Sequence, residues 1–227
     1  MERSLVPELN SGDPHFEQEF EGFLRLKRST AENVTATVTS ILTEIQNRGD
    51  DALFEFARKF DKIDLSADNV RVSDSELNMA RQAVDAPTLE ALEFAHKRIH
   101  DHHLRQLPRD DQYVDELGVE LGAKWTPVES VGLYVPGGTA TYPSSVLMNA
   151  IPARVAGVKR IVMVHPARSN RIDPLVLAAA SVAGIDEIYR IGGAQAVGAL
   201  AFGTRTIAPV SVPNQTSTHT SGPELGG

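Results

Sequence analysis

Three short apolar runs, each followed by a turn and a helix-like segment, constrain the fold of this chain more than any other feature. The runs are Val131–Val135, Arg160–Val164 and Glu187–Ile191. Apolar runs of this length, joined by short helical crossovers, are typical of buried parallel strands. Because such crossovers are right-handed, the sequence predicts an α/β fold with a Rossmann-like parallel sheet.

A helix is predicted after each of these strands. The helices extend from Pro143 to Gly157, from Pro174 to Ala183, and from Gly192 to Ala201. Proline in a first turn and glycine at an end are the usual boundary residues of helices. No further strand is visible beyond Ile207–Val210, so we expect the sheet to be incomplete.

The chain before Thr126–Pro127 is expected to be mainly helical, because its apolar residues recur at three- and four-residue spacing. The predicted elements are an amphipathic helix from Asn33 to Gly49, a second helix capped by Asp50 or Asp51, a short strand over 69–72, a helix that begins at the Ser73–Glu76 capping box, and a helix over 88–103.

Charge and composition change at the same place. Residues 1–127 carry a net charge of −10 and residues 128–227 one of +2, and the second part is rich in Gly, Ala, Val and Pro. We therefore expect residues 1–127 to form the helical part of a split domain and residues 128–210 an incomplete Rossmann-like domain. Residues 211–227 are polar and lack apolar periodicity, which predicts a disordered tail.

Composition also excludes several classes of protein. The 227 residues are 41% hydrophobic and 23% charged, which is ordinary for a globular protein. There is no cysteine, so disulfides and Cys-ligated metals are excluded. The pI near 5.4 argues against nucleic-acid binding. No apolar run is long enough for a membrane span, and the amino terminus lacks the apolar core of a secretory signal, so we expect a cytoplasmic protein.

Two glycine pairs lie where predicted strands turn into helices, namely Gly137–Gly138 and Gly192–Gly193. Free N–H groups at the start of a helix suit an anion such as pyrophosphate, and Tyr134 and Gln195 could line the same crevice. The pairs do not form the G-x-G-x-x-G fingerprint, however. The alternative is that these glycines only permit tight turns.

The histidines near the end of one predicted helix give a weaker signal. His96, His100 and His103 share a helical face, a spacing that could in principle bind zinc. No carboxylate motif accompanies them, and histidines at a charged helix end are usually solvated. We therefore predict no metal site there. His165, at the end of its strand, is isolated in the sequence from other candidate ligands.

Long stretches of the sequence resemble histidinol dehydrogenase. The resemblance covers residues 15–210, and the stretches that carry it are Val131–Gly138, Tyr142–Val158, Tyr189–Val197 and Ala201–Thr204, with Arg48–Leu53 and Lys59–Asp61 upstream and the helix-end residues His103 and Gln106.

This resemblance implies a zinc-dependent enzyme that oxidises L-histidinol to L-histidine with two molecules of NAD, as a cytoplasmic homodimer in histidine biosynthesis. The tyrosine and glutamine of the family that contact NAD fall on Tyr134 and Gln195. The family's zinc ligands and acid/base residues cannot be placed on this sequence, so no catalytic or metal-binding residue is assigned.

The loss of the family pattern after Val210 leaves several hypotheses open. A truncated or frameshifted gene would give a family member that is inactive as this chain alone, because hydride transfer would lack a metal and a base. The chain could instead be a naturally short protein. It could act as a non-catalytic dinucleotide-binding module, or as a fragment that needs a complementing chain.

Overall fold

The computed structural model describes residues 9–137, 141–167 and 171–211, and over residues 25–33 it describes the backbone only. Helices dominate the first part of the chain, as predicted. Its elements are α1 (Phe16–Arg48), α2 (Asp50–Phe56), a π-helical turn (Ala57–Asp61), α3 (Asp74–Ala83), α4 (Ala86–Leu104) and a hairpin of β1 (Asp111–Val114) and β2 (Glu120–Ala123).

Strands and helices alternate in the second part. The elements are β3 (Ser130–Tyr134), α5 (Pro143–Val155), β4 (Arg160–Val164), α6 (Pro174–Val182), β5 (Glu187–Tyr189) and α7 (Gly193–Phe202). The three strands form a parallel sheet in the order β3-β4-β5. The predicted α/β fold with a Rossmann-like sheet is confirmed, and all three predicted strands and their helices are present.

The register of the sheet brings the carboxyl ends of its strands to one edge. Tyr134 pairs with Val164, and Val164 pairs with Tyr189 on the other side. The central strand β4 is almost entirely buried. Residues that follow these three strands therefore lie side by side, which is the geometry on which ligand sites of open α/β sheets are built.

Helices of the first part pack against helices of the second part. Helix α1 contacts α7, α3 contacts α6, and α4 contacts α5. On α7, a Cβ built at Gly198 would lie 3.1 Å from Leu42 and 3.3 Å from Ile45. The absence of a side chain at Gly198 thus lets α1 approach α7 closely. The proposed domain division at Pro127 stays a prediction.

The segment predicted as a short strand over 69–72 lies along the outer edge of β5. The Val72 N–H donates to Ile188 O at 2.8 Å, and the Arg190 N–H donates to Val70 O at 2.9 Å. These antiparallel bonds flank an isolated bridge between Arg71 and Tyr189. The amino-terminal part of the chain thus pairs with the backbone of β5.

Arg190, immediately after β5, fastens this segment. Its side chain is 6% exposed and forms an ion pair with Glu76. Its Nη1 group also donates to Arg71 O at 2.9 Å. Glu76 is held in turn by the capping box with Ser73 that the sequence predicts. The start of α3 is therefore attached to the end of the sheet.

Three details of the amino-terminal part differ from the sequence-based expectation. Helix α1 begins at Phe16, well before Asn33. Neither Asp50 nor Asp51 caps α2, because Asp50 is buried and accepts instead from Thr206 Oγ1 at 2.7 Å. The β1–β2 hairpin was not predicted, since both of its strands are exposed and lack a buried apolar face. Most of the predicted tail, residues 212–227, lies outside the described residues.

Candidate functional site

The two glycine turns meet at a single proline, although Gly138 of the first pair lies outside the described residues. A Cβ built at Gly137 would lie 3.1 Å from Pro166, and one built at Gly192 would lie 2.4 Å from Pro166 Cγ. Pro166 follows the central strand and therefore sits between the loops after β3 and β5. Close packing against its ring accounts for glycine at both positions without any ligand.

Tyr134 lies at the end of β3, beside the start of α7. Its ring is partly open, with the residue 40% exposed. Its hydroxyl accepts the Gly193 N–H at 3.0 Å. Gly193 has a φ of +65°, a left-handed conformation that glycine adopts without strain. The structure thus brings Tyr134 and the second glycine turn together, and it uses one of the free N–H groups of α7 in doing so.

Gln195 lies in the first turn of the same helix, but it is buried, with only 2% of the residue exposed. Its Nε2 group donates to Asp61 Oδ2 at 3.3 Å. Tyr134 and Gln195, which the sequence places in one crevice, are therefore connected through Gly193. The ring of Tyr134 is partly exposed to solvent, whereas the side chain of Gln195 is buried at the amino-terminal end of α7.

Asp61 is a residue that the sequence did not assign to the site. It ends the π-helical turn after α2, a type of turn that is frequent at functional sites. Burial raises the pKa of its carboxyl group, while the hydrogen bond from Gln195 acts in the opposite direction. The only available signal was its place in the Lys59–Asp61 stretch, which carries no chemistry that spacing could reveal.

A cavity of about 730 Å³ lies nearby, on the side of α3 and α6. Polar residues in its lining include Glu76, His165, Arg171 and Arg190, and neither Tyr134 nor Gln195 lines it. His165 Nδ1–H donates to Val135 O at 3.0 Å. Burial lowers the pKa of His165, which favours the neutral ring. This cavity and the Tyr134–Gln195 site are distinct places at the same edge of the sheet.

The histidines of α4 are not arranged as metal ligands. The rings of His96 and His100 stack with centroids 6.1 Å apart, and His103 Nδ1 lies 2.6 Å from Gln106 Oε1. Within the described ranges, no group of three or more His, Cys, Asp or Glu side chains is close enough to hold a metal ion. Over the same residues, no helix is both long and apolar enough to cross a membrane.

Fold and site together define an α/β protein with a parallel Rossmann-like sheet and a candidate ligand site at the carboxyl ends of its strands. The chain belongs to the histidinol dehydrogenase family, whose model matches residues 24–212. The resemblance seen in the sequence is thereby confirmed.

Individual relatives agree with this assignment. Over 207 residues the chain is 56% identical to histidinol dehydrogenase of Brucella abortus (strain 2308), covering 91% of this chain and 48% of the relative. It is 57% identical over 203 residues to the Agrobacterium fabrum protein, covering 89% of this chain and 47% of the relative. The chain thus spans about half the length of these relatives.

A solved structure extends the comparison to the fold. The crystal structure of histidinol dehydrogenase from Elizabethkingia anophelis matches with a TM-score of 0.74 and 35% sequence identity. The match covers 80% of this chain and 43% of that one.

The packing at Pro166 leads to a stability prediction. Gly192 has extended backbone angles that alanine can adopt, so Gly192→Ala should act only through the clash with the proline ring. We expect it to lower the free energy of unfolding by about 1–3 kcal/mol, measured by urea denaturation. Gly22→Ala is the matched control, because a Cβ at this exposed site in α1 meets nothing within 4 Å. It should raise stability by about 0.5–1 kcal/mol. Equal effects of the two changes would contradict the packing argument.

Proposed function

We propose that this chain forms the dinucleotide-binding part of a histidinol dehydrogenase, the enzyme that oxidises L-histidinol to L-histidine with NAD in histidine biosynthesis. The observation that carries the proposal is the contact between Tyr134 and Gly193, which joins the end of β3 to the start of α7. Family membership supports the assignment of the reaction, and the placement of Gln195 in the same turn supports the assignment of the site.

In this proposal, Tyr134 offers an aromatic face to the dinucleotide, and α7 offers the N–H groups of its first turn other than that of Gly193, which Tyr134 accepts. An aromatic ring, an amide and a helix start are together suited to a flat, polar and anionic ligand. The Oε1 atom of Gln195 accepts a hydrogen bond that orients the ligand, while its Nε2 group stays bonded to Asp61. NAD, when bound, accepts a hydride from the alcohol carbon of the substrate.

The described residues do not fit the zinc that the family implies, because they bring no set of ligands together. We infer that the zinc ligands and the acid/base residues belong to the half of the relatives that this chain does not match. The proposal also includes a cytoplasmic location and a homodimeric assembly.

A non-catalytic dinucleotide-binding module is the second candidate function. It is favoured by the same observation, since Tyr134 and Gln195 both lie within this chain whereas the residues that the structure describes bring no group of metal ligands together. The two candidates differ in whether a complementing chain restores turnover. They share the expectation that NAD binds at the start of α7.

The role of Tyr134 can be tested by calorimetric titration with NAD. Tyr134→Ala should weaken binding by about tenfold or more, because it removes a stacking surface. Tyr134→Phe keeps the ring and should bind within about threefold of the native chain. Tyr113→Ala serves as a control, since this exposed tyrosine lies on the separate hairpin. Equal binding by Tyr134→Ala and the native chain would contradict the assigned site.

Measuring turnover tests whether the catalytic groups lie in the carboxyl-terminal half of the relatives, which this chain does not match. We expect no NADH formation when this chain alone is mixed with histidinol, NAD and zinc. Co-expression with the carboxyl-terminal half of the Brucella abortus relative should restore activity, and Tyr134→Ala in the restored pair should lower it. Turnover by this chain alone would show that the catalytic groups lie within it. Failure of the pair to turn over, with NAD binding intact, would favour the non-catalytic module.

A further inference from the structure

The two ends of the Gln195 amide have different surroundings. Its Nε2 group donates to Asp61 in the π-helical turn, at 3.3 Å from Oδ2. Its Oε1 atom is the end nearer to Gly193, since a Cβ built on that residue would be 2.5 Å from Oε1 and 3.0 Å from Nε2. The carbonyl end of the amide is therefore the closer of the two to the first residue of α7, and the amino end donates to Asp61.

An ionised aspartate can enforce this orientation because it only accepts hydrogen bonds. The amide must then turn its NH₂ group toward Asp61 and its oxygen away. An asparagine of nearly the same shape could donate as well as accept, so it would permit both orientations of the amide. The charge on residue 61, rather than its size, selects one of them.

No positively charged side chain compensates the negative charge of Asp61 among the described residues. Within the described parts of the chain, its carboxylate accepts a hydrogen bond from Gln195, and no cation is paired with it. Burial raises the pKa of the carboxyl group. Because the pKa of Asp61 is higher in the folded chain than in the unfolded chain, its ionised carboxylate lowers the free energy of unfolding at neutral pH.

We propose that Asp61 is a positioning residue for the dinucleotide site, holding the Gln195 amide so that its oxygen faces the Gly193 end of α7. This inference rests on the proposed function, because the group bound there is the dinucleotide. A carbonyl oxygen in that position selects a hydrogen-bond donor, such as a ribose hydroxyl or the carboxamide of NAD. Asp61 acts through Gln195 and does not itself contact the ligand.

The test compares Asp61→Asn with the native chain in two independent measurements. In calorimetric titrations with NAD, the variant should bind about fivefold more weakly, whereas its urea midpoint should be unchanged or higher at neutral pH. In ¹⁵N–¹H spectra without ligand, the two side-chain amide signals of Gln195, assigned by their loss in Gln195→Ala, should shift. Asp64→Asn is the matched control, since Asp64 is 82% exposed and paired with Arg58 on the surface.

A mutant cycle separates positioning from a general structural role. If Asp61 acts through Gln195, Asp61→Asn should weaken NAD binding in the native chain and have no further effect in the Gln195→Ala background. Additive losses, unchanged NAD binding, or unchanged Gln195 signals in Asp61→Asn would each overturn the proposal. If the native chain does not bind NAD at millimolar concentration, the proposed function fails. The amide signals then decide alone whether Asp61 orients Gln195.

Discussion

The parallel pairing of β4 with a strand on each side is the constraint on which the candidate site depends. Its register aligns Tyr134, Val164 and Tyr189, so the loops that follow all leave from one edge. Pro166 then occupies the centre of that edge, and its ring leaves room only for glycine at Gly192. Glycine at positions 137 and 192 is thus accounted for by packing against Pro166, whereas Gly193 is part of the candidate site through its contact with Tyr134.

The amino-terminal helical part of the chain packs against the elements that follow the carboxyl ends of the strands. Leu42 and Ile45 pack closely against Gly198 of α7, and the π-helical turn after α2 carries Asp61 to Gln195. Directly after β5, Arg190 binds the amino-terminal segment through Arg71 O and Glu76. Residues separated by more than a hundred positions in sequence therefore meet at both ends of the edge.

The sequence predicted the parts of the fold whose signals are local. Apolar runs gave the three parallel strands, and the Ser73–Glu76 capping box marked the start of α3 correctly. The role of Asp50 was predicted wrongly, because its partner Thr206 lies 156 positions away and no local pattern reveals it. The exposed hairpin was missed for a different reason, since neither strand buries an apolar face.

The same distinction applies to the site. Tyr134 and Gln195 could be named because they lie beside the glycine turns and because a family resemblance assigns NAD contacts to them, and their connection through Gly193 follows from the fold. Asp61 could not be named, because its importance comes from one long-range hydrogen bond to a buried amide. Spacing alone does not distinguish such an aspartate from the many solvated carboxylates of this acidic chain.

Mapping the bound dinucleotide onto the ¹⁵N-labelled chain tests the central claim most directly. During titration with NAD, we expect the backbone signals of Tyr134, Gly193 and Gln195 to shift together along one saturation curve. Shifts confined to the cavity beside α3 and α6, around Met79 and Arg171, would place the ligand on the other side of the sheet edge and contradict the site described for this chain.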